Sequence, residues 1–76
     1  MEIKEIATIR FTDDDSGQEA VAIVRAAEGQ VALSLSLADD GDVEVYMKRD
    51  AFNSLLSALQ QAARTADMNR GSKKEQ

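Results

Sequence analysis

The chain has 76 residues, 14 of them acidic against 9 basic, with no histidine, no cysteine and a net charge of −5. A chain this short allows one domain that buries only about 60% of its unfolded surface, so a partner subunit would add stability. The missing cysteine and histidine exclude disulfides, thiolate metal sites and the usual general base, and the acid excess argues against a general nucleic-acid coat.

The N-terminal MEIKEIATIRF alternates apolar and polar residues, a pattern that excludes a signal peptide or a membrane span and leaves a cytoplasmic protein as the expectation. Period-two alternation from Ile3 to Thr12 predicts a first strand with Ile3, Ala7, Ile9 and Phe11 on one face and Lys4, Ile6, Thr8 and Arg10 on the other. Glu5 is the misfit on the apolar face. The turn formers Asp13 to Gln18 end this strand. Within them Asp13, Asp15, Gly17 and Glu19 imitate the start of a calcium loop but lack its distant bidentate glutamate, so the segment reads as a solvated turn.

The second strand, EAVAIVRAA, leads through Glu28-Gly29 into a third, and a two-residue hairpin loop there sets Ala27 opposite Gln30. That pairing places Ala20, Ala22, Val24 and Ala26 beside Val31, Leu33, Leu35 and Leu37, with Val21, Ile23 and Arg25 beside Ala32, Ser34 and Ser36 on the opposite face. For the next hairpin a loop of Asp39, Asp40 and Gly41 keeps the faces unmixed, and sets Leu37 against Val43, Leu35 against Val45 and Leu33 against Met47.

Asp50 then reads as a helix N-cap. Phe52, Leu55, Leu56, Leu59, Ala63 and Ala66 recur at helical spacing and are expected on the core face of the sheet. Ala51, Ala58 and Ala62 widen the apolar arc, either through helix propensity alone or for close approach of a partner's helix. The expected architecture is α+β: a four-stranded antiparallel meander followed by one C-terminal helix packed on one sheet face. It forms a single domain over residues 1–68, and 69–76 form a disordered tail.

One helix of about 16 residues covers one face of such a sheet and no more. The other face collects Lys4, Arg10, Arg25 and Lys48, with Arg49 at its rim and only Glu44 opposing them. Across residues 3 to 66, and most closely at the strand-to-helix transition VYMKRDAFNSLLSAL, this element order resembles the transcriptional-coactivator and Whirly single-stranded-DNA-binding folds. The resemblance implies a homodimer with helices brought together, phosphate contacts from Lys4, Arg10, Arg25 and Lys48, and a base stacked on Tyr46.

The expectation is therefore a small, non-enzymatic, homodimeric binding module that takes single-stranded nucleic acid across the open sheet face as a regulator. The alternative is a homodimeric protein-interaction module, a regulator or inhibitor, with no nucleic acid. In that case the basic residues are ordinary solvent-facing groups, and the β-branched cluster Ile6, Val21 and Ile23, together with Ala51, Ala58 and Ala62, marks the interface. No cofactor and no metal is expected in either case.

Overall fold

A computed structural model describes residues 2–74 and contains four strands followed by one helix. Strands β1 (Lys4–Thr12), β2 (Glu19–Ala27), β3 (Gln30–Leu37) and β4 (Gly41–Lys48) form an antiparallel sheet in the order β1-β2-β3-β4, and helix α1 spans Arg49–Lys74. The fold is the α+β meander and C-terminal helix expected from the alternation.

Local chemistry fixes the turns. The Asp13 carboxylate accepts hydrogen bonds from the Ser16 N–H (2.9 Å) and hydroxyl (2.6 Å), which holds its pKa below the ordinary carboxylate value. The Asp13 N–H donates to the Gln18 carbonyl (2.8 Å), and Gly17 takes the left-handed conformation that this closure requires (φ 78°). Gln18 also ties two loops together at this end of the sheet: its amide N–H donates to the Asp40 carboxylate (2.8 Å), and its carbonyl accepts from the Asp39 N–H (2.9 Å).

The β2–β3 register matches the expectation pair for pair, from Ala27 opposite Gln30 to Ala20 opposite Leu37. Gly29 alone supplies the positive φ of that turn. The β3–β4 register differs from the expectation by two residues: Leu37 faces Gly41, Leu35 faces Val43, Leu33 faces Val45 and Val31 faces Met47. The turn is made by Ala38, Asp39 and Asp40, with Gly41 left-handed at the head of β4. A slip of two preserves which side chains share a face, so the period-two pattern is blind to it.

A second correction concerns β1. The pairing with β2 is regular from Thr12 back to Ala7, but a bulge between Glu5 and Ala7 then sets Glu5 opposite Arg25 and Lys4 opposite Ala26. One extra residue reverses the facing of everything beyond it. Lys4 therefore lies on the apolar face instead of the open one, and Glu5 leaves the apolar face for the open one. There its carboxylate accepts a hydrogen bond from the Thr8 hydroxyl (2.6 Å). Ile6 occupies the bulge without a ladder partner.

The helix follows β4 with no residue between Lys48 and Arg49, and it starts two residues earlier than an N-cap at Asp50 implies, so Asp50 lies inside its first turn, where a carboxylate favours the dipole. It is 26 residues long, so its final turns include most of the stretch expected as a disordered tail; Glu75 and Gln76 lie outside the described residues. Among the described residues it contacts β4 and β3, and Arg49, Phe52 and Asn53 of its first turns stand beside the sheet. Phe52 and Leu55 are half-buried, whereas Leu56, Leu59, Ala63 and Ala66, expected on the core face, are exposed.

Little of the chain is therefore covered. Among the described residues only Ala20 (4% exposed) and Ala32 (3%) are buried. The accessible surface is 6299 Å², against about 4,600 Å² for a typical folded monomer of this mass. The chain alone thus hides only about half the surface of its unfolded form, less than the roughly 60% usual even for small domains.

Candidate interaction surfaces

The ladders divide the side chains between two faces. On the apolar face, Phe11, Ala20, Leu37 and Gly41 form the row nearest the acidic turns. Next come Ile9, Ala22, Leu35 and Val43, then Ala7, Val24, Leu33 and Val45, and finally Lys4, Ala26, Val31 and Met47 at the helix end. The helix reaches only this last row, where Phe52 shares a groove with Ala26 and Val31. The far rows are open to solvent: Ile9, Phe11, Leu35, Val43 and Val45 are all exposed, Val43 the most at 58%. At that end Phe11, Ala20, Leu35, Leu37 and Val43 line a mostly apolar depression. Contiguous branched and aromatic side chains left in water are unfavourable, because water is a poor neighbour for them.

The opposite face is polar and close to charge balance. Its rows run Arg10, Val21, Ser36 and Asp42; then Thr8, Ile23, Ser34 and Glu44; then Glu5, Arg25, Ala32 and Tyr46; and Gln30 stands opposite Lys48 at the helix end. Arg25 reaches diagonally across β3 to the Glu44 carboxylate (2.6 Å) and also contacts the Ser34 hydroxyl (3.4 Å). Arg25 and Tyr46 flank Ala32 in their row, and long side chains on either side hide a methyl group from water.

The candidate nucleic-acid residues are thus not brought together. Lys4 is on the other face, Arg25 is engaged by Glu44, and Arg10 and Lys48 stand on opposite edge strands at opposite ends of the sheet. Tyr46 remains exposed on the open face. Glu5 and Asp42 join Glu44 there, so three acids share the face with Arg10, Arg25 and Lys48. Of the candidate interface residues, Val21 and Ile23 are half-buried neighbours in register, Ile6 is exposed at the bulge, and Ala51, Ala58 and Ala62 are exposed on the helix.

Ile9, Phe11, Leu35, Val43 and Val45 were expected to be core and instead form a contiguous exposed apolar surface. A signal for this stands in the sequence: MKRD, between the last strand and the helix, has no glycine, proline or spare residue with which the chain could reverse. Among the described residues no helix is long and apolar enough to cross a membrane. No protein-family model, no curated protein and no solved structure matches this chain.

Proposed function

We propose that the chain is a non-catalytic, homodimeric protein-interaction module of the cytoplasm, in which a second copy covers the apolar sheet face. The observation that carries this reading is the surface excess of about 1,700 Å² per chain over a typical monomer. A second copy covering the apolar face removes part of that excess, and a stable specific interface needs about 1,200 to 2,000 Å² buried in total. With the apolar faces covered, the polar faces point outward, and the exposed Tyr46 and Ile6 beside charged neighbours offer a docking surface for a protein partner.

Single-stranded nucleic acid is the less favoured partner. Phosphate binding needs a contiguous excess of cations, and the open face offers three basic residues against three acidic ones, with Arg25 already paired. Fluorescence anisotropy of labelled oligo-dT at low and moderate salt, with light-scattering mass measured on the same samples, separates the two. The proposal expects a dimeric mass and no salt-dependent anisotropy change. Binding that weakens steeply with salt and is lost on Arg10→Ala with Lys48→Ala would assign the open face to nucleic acid.

A further inference from the structure

Among the described residues two apolar surfaces are left exposed. One is the far end of the sheet face, concave between Phe11, Leu35 and Val43. The other is the helix stripe containing Leu56 (41% exposed) and Leu59 (57%). The chain does not join them internally in this structure. The helix leaves β4 at Lys48 without an intervening residue, whereas the depression lies at the Gly41 end of the same strand, about 24 Å away at the rise of an antiparallel strand. The helix instead extends the molecule to 53 Å along its longest axis, about twice the length of a strand.

On the self-association reading above, we infer that the second copy covers the sheet with its helix and not with its sheet: Leu56 and Leu59 of each chain seat between Phe11, Leu35 and Val43 of the other, reciprocally about a two-fold axis. A four-stranded sheet with strands of this length presents a face of about 26 Å by about 19 Å, or about 500 Å². The half-exposed side chains that would meet, Ile9, Phe11, Leu35, Val43, Leu56 and Leu59, each leave on the order of 100 Å² to cover, so the two reciprocal contacts bury about 1,200 Å², at the lower end of the standard range for a specific interface. The stripe from Leu55 to Ala66 is about 17 Å long, close to the width of the sheet it would cross. Stacking the two sheets face to face would leave both leucines of each helix in water. A self-complementary contact of this kind closes at two copies.

The absence of cysteine from the sequence makes the arrangement directly testable by disulfide mapping. Full-length Leu59→Cys and Val43→Cys chains are mixed, equilibrated, oxidised gently and resolved by intact mass. The inference expects the disulfide to join unlike chains, one carrying Leu59→Cys and the other Val43→Cys. Disulfides confined to pairs of Val43→Cys chains would mean sheet on sheet, those confined to pairs of Leu59→Cys chains helix on helix, and either overturns the inference while leaving the dimer. A chain carrying both substitutions that closes on itself as a monomer at high dilution overturns it as well, in favour of a helix folded back on its own sheet. No disulfide together with a monomeric mass at every concentration removes the self-association reading itself. In a second arm, the Leu56→Ser, Leu59→Ser double variant should lose the dimeric mass and the strand signal in circular dichroism together, at a concentration where the unsubstituted chain keeps both. A full dimeric mass for this variant overturns the inference.

Discussion

Truncating Leu35 to alanine should weaken self-association about 30-fold. Leu35 lies near the middle of the apolar face, opposite Ala22 and Val43, and is 46% exposed in the single chain. Complete burial of a leucine side chain contributes about 1.5 to 3 kcal/mol, so the part still exposed stands to gain about 1 kcal/mol when a second copy covers it. Both copies contribute, for about 2 kcal/mol per dimer, and about 1.4 kcal/mol corresponds to a tenfold change in affinity. The assay is urea unfolding of wild type and Leu35→Ala at two protein concentrations about a hundredfold apart. If folding and association are linked, that concentration step stabilises the wild type by about 2.7 kcal/mol. With a urea slope of about 2 kcal/mol per molar, the midpoint then moves by about 1 M. The Leu35→Ala chain should show the same dependence from a lower starting point, together with an association constant reduced by the stated factor. Midpoints that ignore concentration in both proteins would refute the reasoning, because the substitution would then act only within one folded chain.

The remaining predictions concern the elements that shape the two faces. Gly41→Ala should lower stability by about 1 to 2 kcal/mol in urea unfolding, because φ is 83° and a Cβ there would meet nothing within 4 Å, so the cost is purely conformational; an unchanged midpoint would show that Gly41 is not left-handed in solution. A double-mutant cycle on Arg25→Ala and Glu44→Ala should give a coupling of about 0.2 to 1 kcal/mol, since both side chains remain partly exposed, and zero coupling would dissolve the diagonal pair. Asp13, with its pKa depressed by Ser16, contributes stability above the ordinary carboxylate pKa that is lost as pH falls through its folded value. Asp13→Asn should therefore flatten the acid limb of stability below about pH 4, and an unaltered limb would contradict the turn chemistry.

How far the sequence discloses this structure depends on what each signal encodes. Alternation assigns Ala22, Leu35 and Val43 to one face because side-chain direction repeats every second residue, and β2–β3 is readable to the residue because Gly29 leaves its two-residue loop no freedom. Alternation carries no information about slips of two, so the position of Leu37 opposite Gly41 depends on the turn alone. The bulge is visible only as a misfit: Glu5 violates the apolar face, and the structure resolves the violation by turning Glu5 to Arg25 and Lys4 to Ala26. Reading Lys4 as open-face overlooked that cue and overstated the basic charge there. That Glu44 pairs with one of the basic residues is legible, because it is the acid expected among them, but that the partner is Arg25, diagonally across β3, depends on the β3–β4 register. Helical spacing of Leu55, Leu56 and Leu59 announces an apolar stripe without saying whose sheet it meets. The direct passage from Lys48 to Arg49 holds the stripe away from the far end of its own sheet.

Sedimentation equilibrium of the unmodified chain from nanomolar to high micromolar concentration tests most directly whether a second copy covers the apolar face. The account predicts a mass of twice the 8.3 kDa chain over most of that range, falling toward the single-chain value only on extreme dilution and together with loss of folded structure. A folded species of single-chain mass at micromolar concentration would contradict it, because Ile9, Phe11, Leu35, Val43 and Val45 would then remain in water in a stable protein.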